Sequence, residues 1–183
     1  MVAGVILAEP DTSPPQADLL NAMFETDRPR GKKRNLEWAS DLAECMIGEF
    51  VIVPLTTSRQ LRAEGRAMRH CVGQYDEICH KGLARVFSIR DLSNKRMATI
   101  SLLWRDDYWH LEQIKGLQNA DVLESESTFF DGNTTVTLLE PTELHFVSQE
   151  VLRRYRSAWN ERLRASLTTY GRNPCGMPEP APP

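Results

Sequence analysis

The sequence contains few cysteines and no long apolar run. Its four cysteines are scattered over 183 residues, too sparsely for a disulfide scaffold, so we expect reduced thiols. No run approaches the roughly 18 apolar residues of a membrane-spanning helix. The apolar stretch 2–8 also lacks the basic lead-in of a secretory signal. These absences predict a cytoplasmic protein without a membrane partner.

The short motifs of the common enzyme classes are absent as well. The sequence has no Walker loop, Rossmann glycine fingerprint, nucleophile elbow or His-Glu-x-x-His pair. Neighbouring histidine and cysteine residues occur at 70–71 and 79–80, but their spacing is not the paired spacing of structural zinc sites. We therefore expect no metal and no cofactor, and the question whether the protein is an enzyme stays open.

What the sequence does contain is segregated charge, hidden in a net charge of −3. Residues 28–105 carry fifteen bases and eight acids, whereas residues 106–150 carry ten acids and a single base. Seventeen of the 22 basic residues are Arg, whose guanidinium fork suits phosphate and carboxylate groups. Such asymmetry indicates a polyanion site, or an acidic segment that covers a basic one.

The length favours one domain with tails. Residues 1–35 are expected to form a flexible or partly helical leader that includes a basic loop. Residues 36–172 are expected to form the domain, and residues 173–183 a proline-rich tail. Within the domain, the acidic segment 121–147 is interpreted as an insertion.

Periodicity predicts an α+β fold in which a small antiparallel sheet packs against several helices in a single domain. Helical spacing of apolar residues predicts helices at 36–47, 58–72 and 148–166. Runs of β-forming residues predict strands at 50–53, 84–89, 97–104 and 109–114, and a further hairpin from 134–139 and 144–147. Short turns between the three central strands dictate an antiparallel meander. The predicted core residues are Leu61, Met68, Val72, Phe87, Ile89, Ile100, Leu102 and Trp159.

The helix predicted at 58–72 has a basic side. Arginines recur there at i, i+3, i+7 and i+10, at Arg59, Arg62, Arg66 and Arg69. One interpretation is a solvated face, because exposed ion pairs contribute little. The other is a surface that contacts phosphate. We also expect the acidic segment 121–147 to lie against or near this surface, because a stretch so poor in bases between two basic segments gains by folding back on one of them. Screening limits this attraction to about 10 Å at ordinary salt, so the docking should be local.

An ordered set of residues runs through the middle of the chain. It comprises Val53-Pro54, Ser58, Leu61, Glu64-Gly65, the run His70-Cys71-Val72-Gly73-Gln74-Tyr75, Gly82, Ser88-Ile89-Arg90, Gln113, Lys115-Gly116 and Asn119. Over about residues 51–119 this pattern resembles the PcfJ-like family, first named from conjugative plasmids and found in plasmid- and phage-borne proteins. The resemblance implies a mobile-element role and no settled reaction. The chain is far shorter than typical members.

The candidate ligand-binding residues surround the run at 70–75. An antiparallel meander can bring polar groups of the strands beside His70, so we predict a basic and polar site for nucleic acid or a nucleotide. The predicted members of this site are Arg62, Arg66, Arg69, His70, Tyr75, Arg90, Gln113, Lys115 and Asn119.

His70 and Cys71 are the catalytic candidates. Adjacent residues on a helix point about 100° apart, so Cys71 would need His80 or His110 as its base. The competing interpretation of Cys71 is a small buried core residue, since free cysteines are frequently buried.

Three hypotheses describe the function. The first is a plasmid or phage accessory protein that binds nucleic acid or a nucleotide through the site around the His-Cys-Val-Gly motif. The alternative is a protein-interaction module that counters or modulates a host defence system, in which the segment 121–147 contacts a basic partner protein. The third is an enzyme that depends on Cys71 or His70.

Overall fold

The fold is built on a five-stranded antiparallel sheet whose strands lie side by side in chain order. They are β1 (Cys45–Ile47), β2 (Phe50–Leu55), β3 (Ala84–Arg90), β4 (Arg96–Arg105) and β5 (Tyr108–Lys115). The computed structural model describes residues 35–130 and 135–171. The predicted leader up to residue 34 and the proline-rich tail lie outside the described residues. The meander predicted from the sequence is confirmed as β3, β4 and β5.

Three α-helices and a second, two-stranded sheet complete the α+β fold in the described part of the chain. They are α1 (Ser58–Met68), α2 (Asp76–His80), the hairpin strands β6 (Glu124–Phe130) and β7 (Thr135–Pro141), and α3 (Glu143–Gly171). Short 3-10 turns occupy Cys71–Gln74 and Leu117–Asn119. None of the described helices is long and apolar enough to span a membrane.

The helices α1 and α3 cover opposite faces of the central sheet. Successive residues of a strand point to opposite faces, and in β4 Thr99 bonds to Glu64 of α1, whereas Ile100 lies in one apolar cluster with Val151 of α3. On the α3 face, Tyr155 packs edge-on against Trp109 with ring centroids 4.9 Å apart. This face therefore holds the main apolar core.

The α1 face is held by a well-capped helix. The Thr57 side chain accepts a hydrogen bond from the Gln60 N–H at 3.1 Å, which satisfies one of the unpaired donors of the first turn. Leu61 and Met68 of α1 are buried against the sheet. Seven of the eight predicted core residues are buried, and the eighth, Trp159, is partly buried against the α3-face cluster.

The helix predicted at 36–47 is wrong. Leu36 instead runs beside the start of α1, where its N–H donates to Ser58 Oγ at 2.9 Å and its carbonyl accepts from the Ser58 N–H at 2.9 Å. Residues 45–47 pair with β2 as an edge strand. Partners distant in the sequence thus satisfy the backbone of this segment, and they override its helical periodicity.

The strand predicted at 50–53 continues through Pro54 to Leu55. Proline cannot donate to a sheet ladder and is tolerated on edge strands. Strand β1 begins at Cys45, opposite Ile52, so no strand of the central sheet lies outside β2 at Pro54. The proline therefore costs the sheet little there.

The hairpin predicted from 134–139 and 144–147 is also wrong. Strand β7 pairs with β6, and residues 144–147 begin α3, where Leu144, Val147 and Val151 meet the α3-face core at helical spacing. A four-residue apolar run does not distinguish a strand from a helical turn. Because α3 already begins at Glu143, Ser148 is not its cap.

The described residues of the acidic segment, 121–130 and 135–147, do not dock on the arginine-rich surface. Leu123 and Leu144 pack against the α3-face core, on the side of the sheet opposite α1. Among the described residues, no ion pair joins an acid of this segment to an arginine of α1. The expectation that the segment screens these arginines is therefore wrong for the described part of the chain.

Candidate functional site

A polar pocket opens on the α1 face between the turn after α1 and the strands β4 and β5. Its volume is about 290 Å³ including the open mouth. Nine residues, named here the His70 pocket, line it: His70, Cys71, Val72, Tyr75, Thr99, Ser101, Gln113, Lys115 and Asn119. Two separate stretches of the chain, 70–75 and 99–119, thus contribute to one cavity.

Gly65 lets the chain fold back to form one wall of the pocket. Helix α1 ends where Arg69 adopts a left-handed conformation with φ 55°. The returning backbone then passes so close to α1 that a Cβ at Gly65 would lie 2.9 Å from the His70 carbonyl oxygen and 3.2 Å from the Gly73 nitrogen. Glycine is therefore required for this approach.

A chain of hydrogen bonds fixes the His70 ring. Thr99 Oγ1 donates to Glu64 Oε1 at 3.0 Å, and His70 Nε2 lies 2.9 Å from the same Thr99 oxygen. A carboxylate only accepts, and the threonine hydroxyl has one proton. His70 Nε2 is therefore the protonated ring nitrogen and donates to Thr99.

The carboxylate at the end of this chain is almost completely buried. Glu64 is 1% exposed, and Arg96 Nε donates to its Oε2 at 2.7 Å. A buried charge without a partner is costly, so Arg96 on β4 makes this carboxylate possible inside the fold. The pair also joins α1 to the sheet beneath the pocket.

Burial lowers the pKa of His70 below its ordinary value of 6.5, and the opposing influence of Glu64 does not offset this. The imidazole is therefore neutral at neutral pH. Together with the protonated Nε2, this makes His70 a fixed hydrogen-bonding group of the pocket wall rather than a cation.

A bulge in β5 brings Gln113 to Tyr75. Ser101 pairs with Gln113 and Leu102 with Leu111, which leaves one extra residue in β5 between them. Gln113 Nε2 donates to the Tyr75 hydroxyl at 2.6 Å. Burial raises the pKa of Tyr75 to about 12, so the phenol stays protonated at neutral pH.

The far side of the pocket carries Lys115 and Asn119. Gly116 allows the turn between them, because a Cβ there would lie 2.6 Å from Val122 Cγ1. Asn119 itself adopts a left-handed conformation with φ 61°. At the floor, Ser101 is 2% exposed, and its Oγ has no hydrogen-bond partner among the described residues.

Five of the nine predicted ligand-binding residues line this pocket, and four arginines do not. Arg66 and Arg69 are exposed, and Arg62 lies 3.8 Å from Asp76. Arg90 donates to Ser88 and to Asn94. The five lining members are His70, Tyr75, Gln113, Lys115 and Asn119.

Cys71 is exposed at the pocket, so its interpretation as a buried core residue is wrong. Neither His80 nor His110 lines the pocket, and His80 Nδ1 bonds to the Glu37 carbonyl. The histidine that shares the pocket with the Cys71 thiol is therefore His70, and not His80 or His110 as expected. Across the described ranges, no group of three His, Cys, Asp or Glu side chains could hold a metal ion.

Sequence reasoning missed Thr99, Ser101 and Arg96. The signal was present in β4, where Thr99 and Ser101 alternate with the apolar residues Ala98, Ile100 and Leu102. Polar residues buried within such a strand indicate a hydrogen-bonding partner or a ligand on that face.

All nine residues of the His70 pocket lie within a range that matches a known protein family. The family model described as PcfJ-like protein matches residues 20–130, which is more than half of the chain. The chain belongs to the PcfJ-like family. No curated protein and no solved structure matches it. The family match extends on both sides beyond residues 51–119, the range over which the sequence pattern resembles the family.

The lining allows a restricted chemistry. Lys115 is the one Lys or Arg among the nine lining residues, and none of the nine is an acid. A small anionic or neutral polar ligand therefore suits the pocket better than a cation does.

Proposed function

We propose that this PcfJ-like protein is a mobile-element accessory protein that binds nucleic acid or a nucleotide at the His70 pocket. The carrying observation is the convergence of Lys115, Gln113 and Asn119 beside the oriented His70 ring. Amides, hydroxyls and an ammonium group are the donors that contact phosphates and bases. The mobile-element part of the proposal rests on family membership.

The arginines of α1 extend the proposed contact surface. Arg59, Arg66 and Arg69 are exposed, and the turn that follows α1 forms a wall of the pocket. A nucleic-acid strand with one group at Lys115 can therefore place further phosphates along this helix. Such contacts release counterions and make the affinity dependent on salt.

Fluorescence anisotropy with labelled single- and double-stranded DNA and RNA tests the proposal. We expect binding at low salt that weakens with a logarithmic slope of about −0.7 to −0.9 per phosphate contacted. Lys115→Ala should make the slope shallower by about one such contact. Lys81→Ala, at an exposed lysine outside the pocket, is the matched control. Absence of binding to every one of these probes and to a labelled nucleotide at low salt would refute the proposal.

A protein-interaction module is the second candidate. Hairpin β6–β7 exposes apolar side chains, with Phe130 69% and Leu139 59% exposed, and the register places Glu126 opposite Leu139. An exposed surface of acids and apolar groups suits a basic partner protein. Co-purification from host cells, compared between the wild type and a Phe130→Ser, Leu139→Ser double variant, tests this candidate.

A Cys/His-dependent enzyme is the third candidate. One observation favours it: the exposed Cys71 thiol lies in the same pocket as the oriented, neutral His70.

A further inference from the structure

We infer that the His70 pocket takes one unpaired nucleobase, with the neighbouring phosphate at Lys115. This inference rests on the proposed function and names its substrate class, single-stranded nucleic acid.

The charge distribution argues against a phosphate as the group inside the pocket. Phosphate is best held by arginine forks, and the lining contains no arginine. The nearby guanidinium of Arg96 already pairs with Glu64 at 2.7 Å. Among the lining residues, Lys115 alone offers a full positive charge. The other lining residues would therefore make no ion pair with a phosphate inside the pocket.

The neutral polar groups match the edge of a base. The Ser101 hydroxyl is buried and unpaired in the described part of the chain, and a ligand that bonds to it removes the cost of that unpaired group. The Gln113 amide uses Nε2 toward Tyr75 and can offer its Oε1 and a second N–H. Asparagine and glutamine amides recognise bases through this donor and acceptor pair.

The remaining walls are apolar or flat. Val72 and Tyr75 line the pocket but are only 6% and 3% exposed, so the half-buried His70 imidazole is the ring that a base can contact. Aromatic and imidazole rings are the surfaces on which proteins stack unpaired bases. The pocket is open at its mouth, so a base that enters it can remain part of its strand.

A base inside a duplex cannot enter such a pocket, because it stays stacked and paired unless it is extruded. A single strand presents its bases without that cost. The inference therefore predicts that a single strand binds more tightly than a duplex of the same length at the same salt concentration.

Oligonucleotides with and without bases provide the decisive probe. We compare a single-stranded DNA oligomer with an abasic sugar-phosphate chain of the same length and charge, using anisotropy at low salt. We expect the abasic chain to bind at least about tenfold more weakly, since each stacked base contributes appreciably to affinity. Ser101→Ala and Gln113→Leu should each weaken binding of the normal oligomer and leave the abasic chain unaffected. Lys115→Ala should weaken both.

Ser127→Ala is the matched control, because Ser127 is exposed on β6 outside the pocket. Thermal unfolding establishes that each variant is folded, and the two pocket variants at separate strands guard against one of them failing to fold. A normal and an abasic chain that bind equally well would overturn the inference and leave the proposed function standing. No binding of either chain would overturn the inference, and the proposed function would fail as well if single-stranded RNA, both duplexes and a labelled nucleotide also did not bind.

Cys71 provides an independent readout of occupancy. Its thiol is exposed at the pocket, whereas Cys79 is buried and burial raises the pKa of Cys79 to about 12. We expect the single-stranded oligomer to slow alkylation of Cys71 by iodoacetamide, as followed by peptide mass spectrometry, and the abasic chain to slow it less. Equal protection by both chains would contradict a base in the pocket.

Discussion

Thr99 on β4 donates a hydrogen bond to Glu64 on α1 across 3.0 Å, deep beneath the His70 pocket. The same hydroxyl accepts from His70. The Thr99 oxygen on the sheet therefore connects Glu64, within α1, to His70, which follows the end of α1. The orientation of the His70 ring therefore depends on how α1 sits on the sheet. The buried carboxylate is accordingly a structural support of the site.

Glu64→Ala should destabilise the protein strongly. The substitution removes a carboxylate that is 1% exposed and leaves Arg96 and Thr99 without their partner. Breaking a buried ion pair costs about 3–5 kcal/mol, and we expect about 3 kcal/mol because the Arg96 side chain is 32% exposed and keeps some hydration. Urea unfolding measures the change in free energy.

The control for Glu64→Ala is Glu150→Ala. Glu150 also pairs with arginines, at 2.6 Å from Arg153 and 2.7 Å from Arg154. These pairs lie at the surface of α3, where solvent screens them. We expect little change, and similar losses in the two variants would contradict the structural role assigned to Glu64.

Gly65→Ala and Gly73→Ala should differ although both lie where the returning turn passes close to α1. A Cβ at Gly65 meets backbone atoms at 2.9 and 3.2 Å, whereas at Gly73 the nearest atom is Arg62 Cα at 3.4 Å. Overpacking costs about 1–3 kcal/mol, which at Gly65 exceeds the roughly 1 kcal/mol gained from the better helix propensity of alanine. We expect Gly65→Ala to destabilise measurably and Gly73→Ala to be nearly neutral in urea unfolding.

Met68→Ala tests the inward phase of α1. Met68 is 2% exposed, and truncation of a buried methionine costs about 2–5 kcal/mol. Arg66→Ala on the exposed side of the same helix should change the free energy of unfolding by less than about 0.5 kcal/mol. A loss below about 1 kcal/mol for Met68→Ala would show that this side of α1 does not pack as described.

Local patterns predicted the centre of the fold correctly because there they agree with the tertiary contacts. The strands β3 to β5 are rich in β-forming residues and are joined by short turns, so the local sequence and the strand pairing demand the same structure. The segment 36–47 has an equally clear helical pattern, but its backbone partners are Ser58 and β2. Sequence spacing carries no information about such distant partners.

The site was predictable in part for the same reason. The motif pointed to His70, Gln113 and Lys115, which do share a pocket. The arginine row on α1 formed an equally regular pattern, yet its members lie outside the cavity. Regular spacing in the sequence shows that residues share one face of a helix, but it does not show whether that face lines a pocket. Thr99 and Ser101 were missed because their neighbours make β4 resemble an ordinary core strand.

The stability of the protein should fall as the pH drops toward acid, partly through His70. Burial lowers the folded-state pKa of His70 below 6.5, so between that lowered value and 6.5 the unfolded chain binds more protons than the folded one. The stabilisation is therefore complete above pH 6.5 and decreases as the pH falls toward the folded-state pKa. Carboxylates add their own dependence at lower pH.

Thermal unfolding of the wild type and of His70→Gln, followed from about pH 7.5 to 5.5, isolates this contribution. Glutamine can place an N–H near Thr99, as His70 Nε2 does, but it does not titrate. We expect the melting temperature of His70→Gln to fall less over this interval than that of the wild type. Ser127→Ala, at an exposed serine outside the pocket, should retain the wild-type dependence. Parallel curves for the wild type and His70→Gln would show that His70 is not buried in its neutral form, and the orientation assigned to its ring would then have to be abandoned.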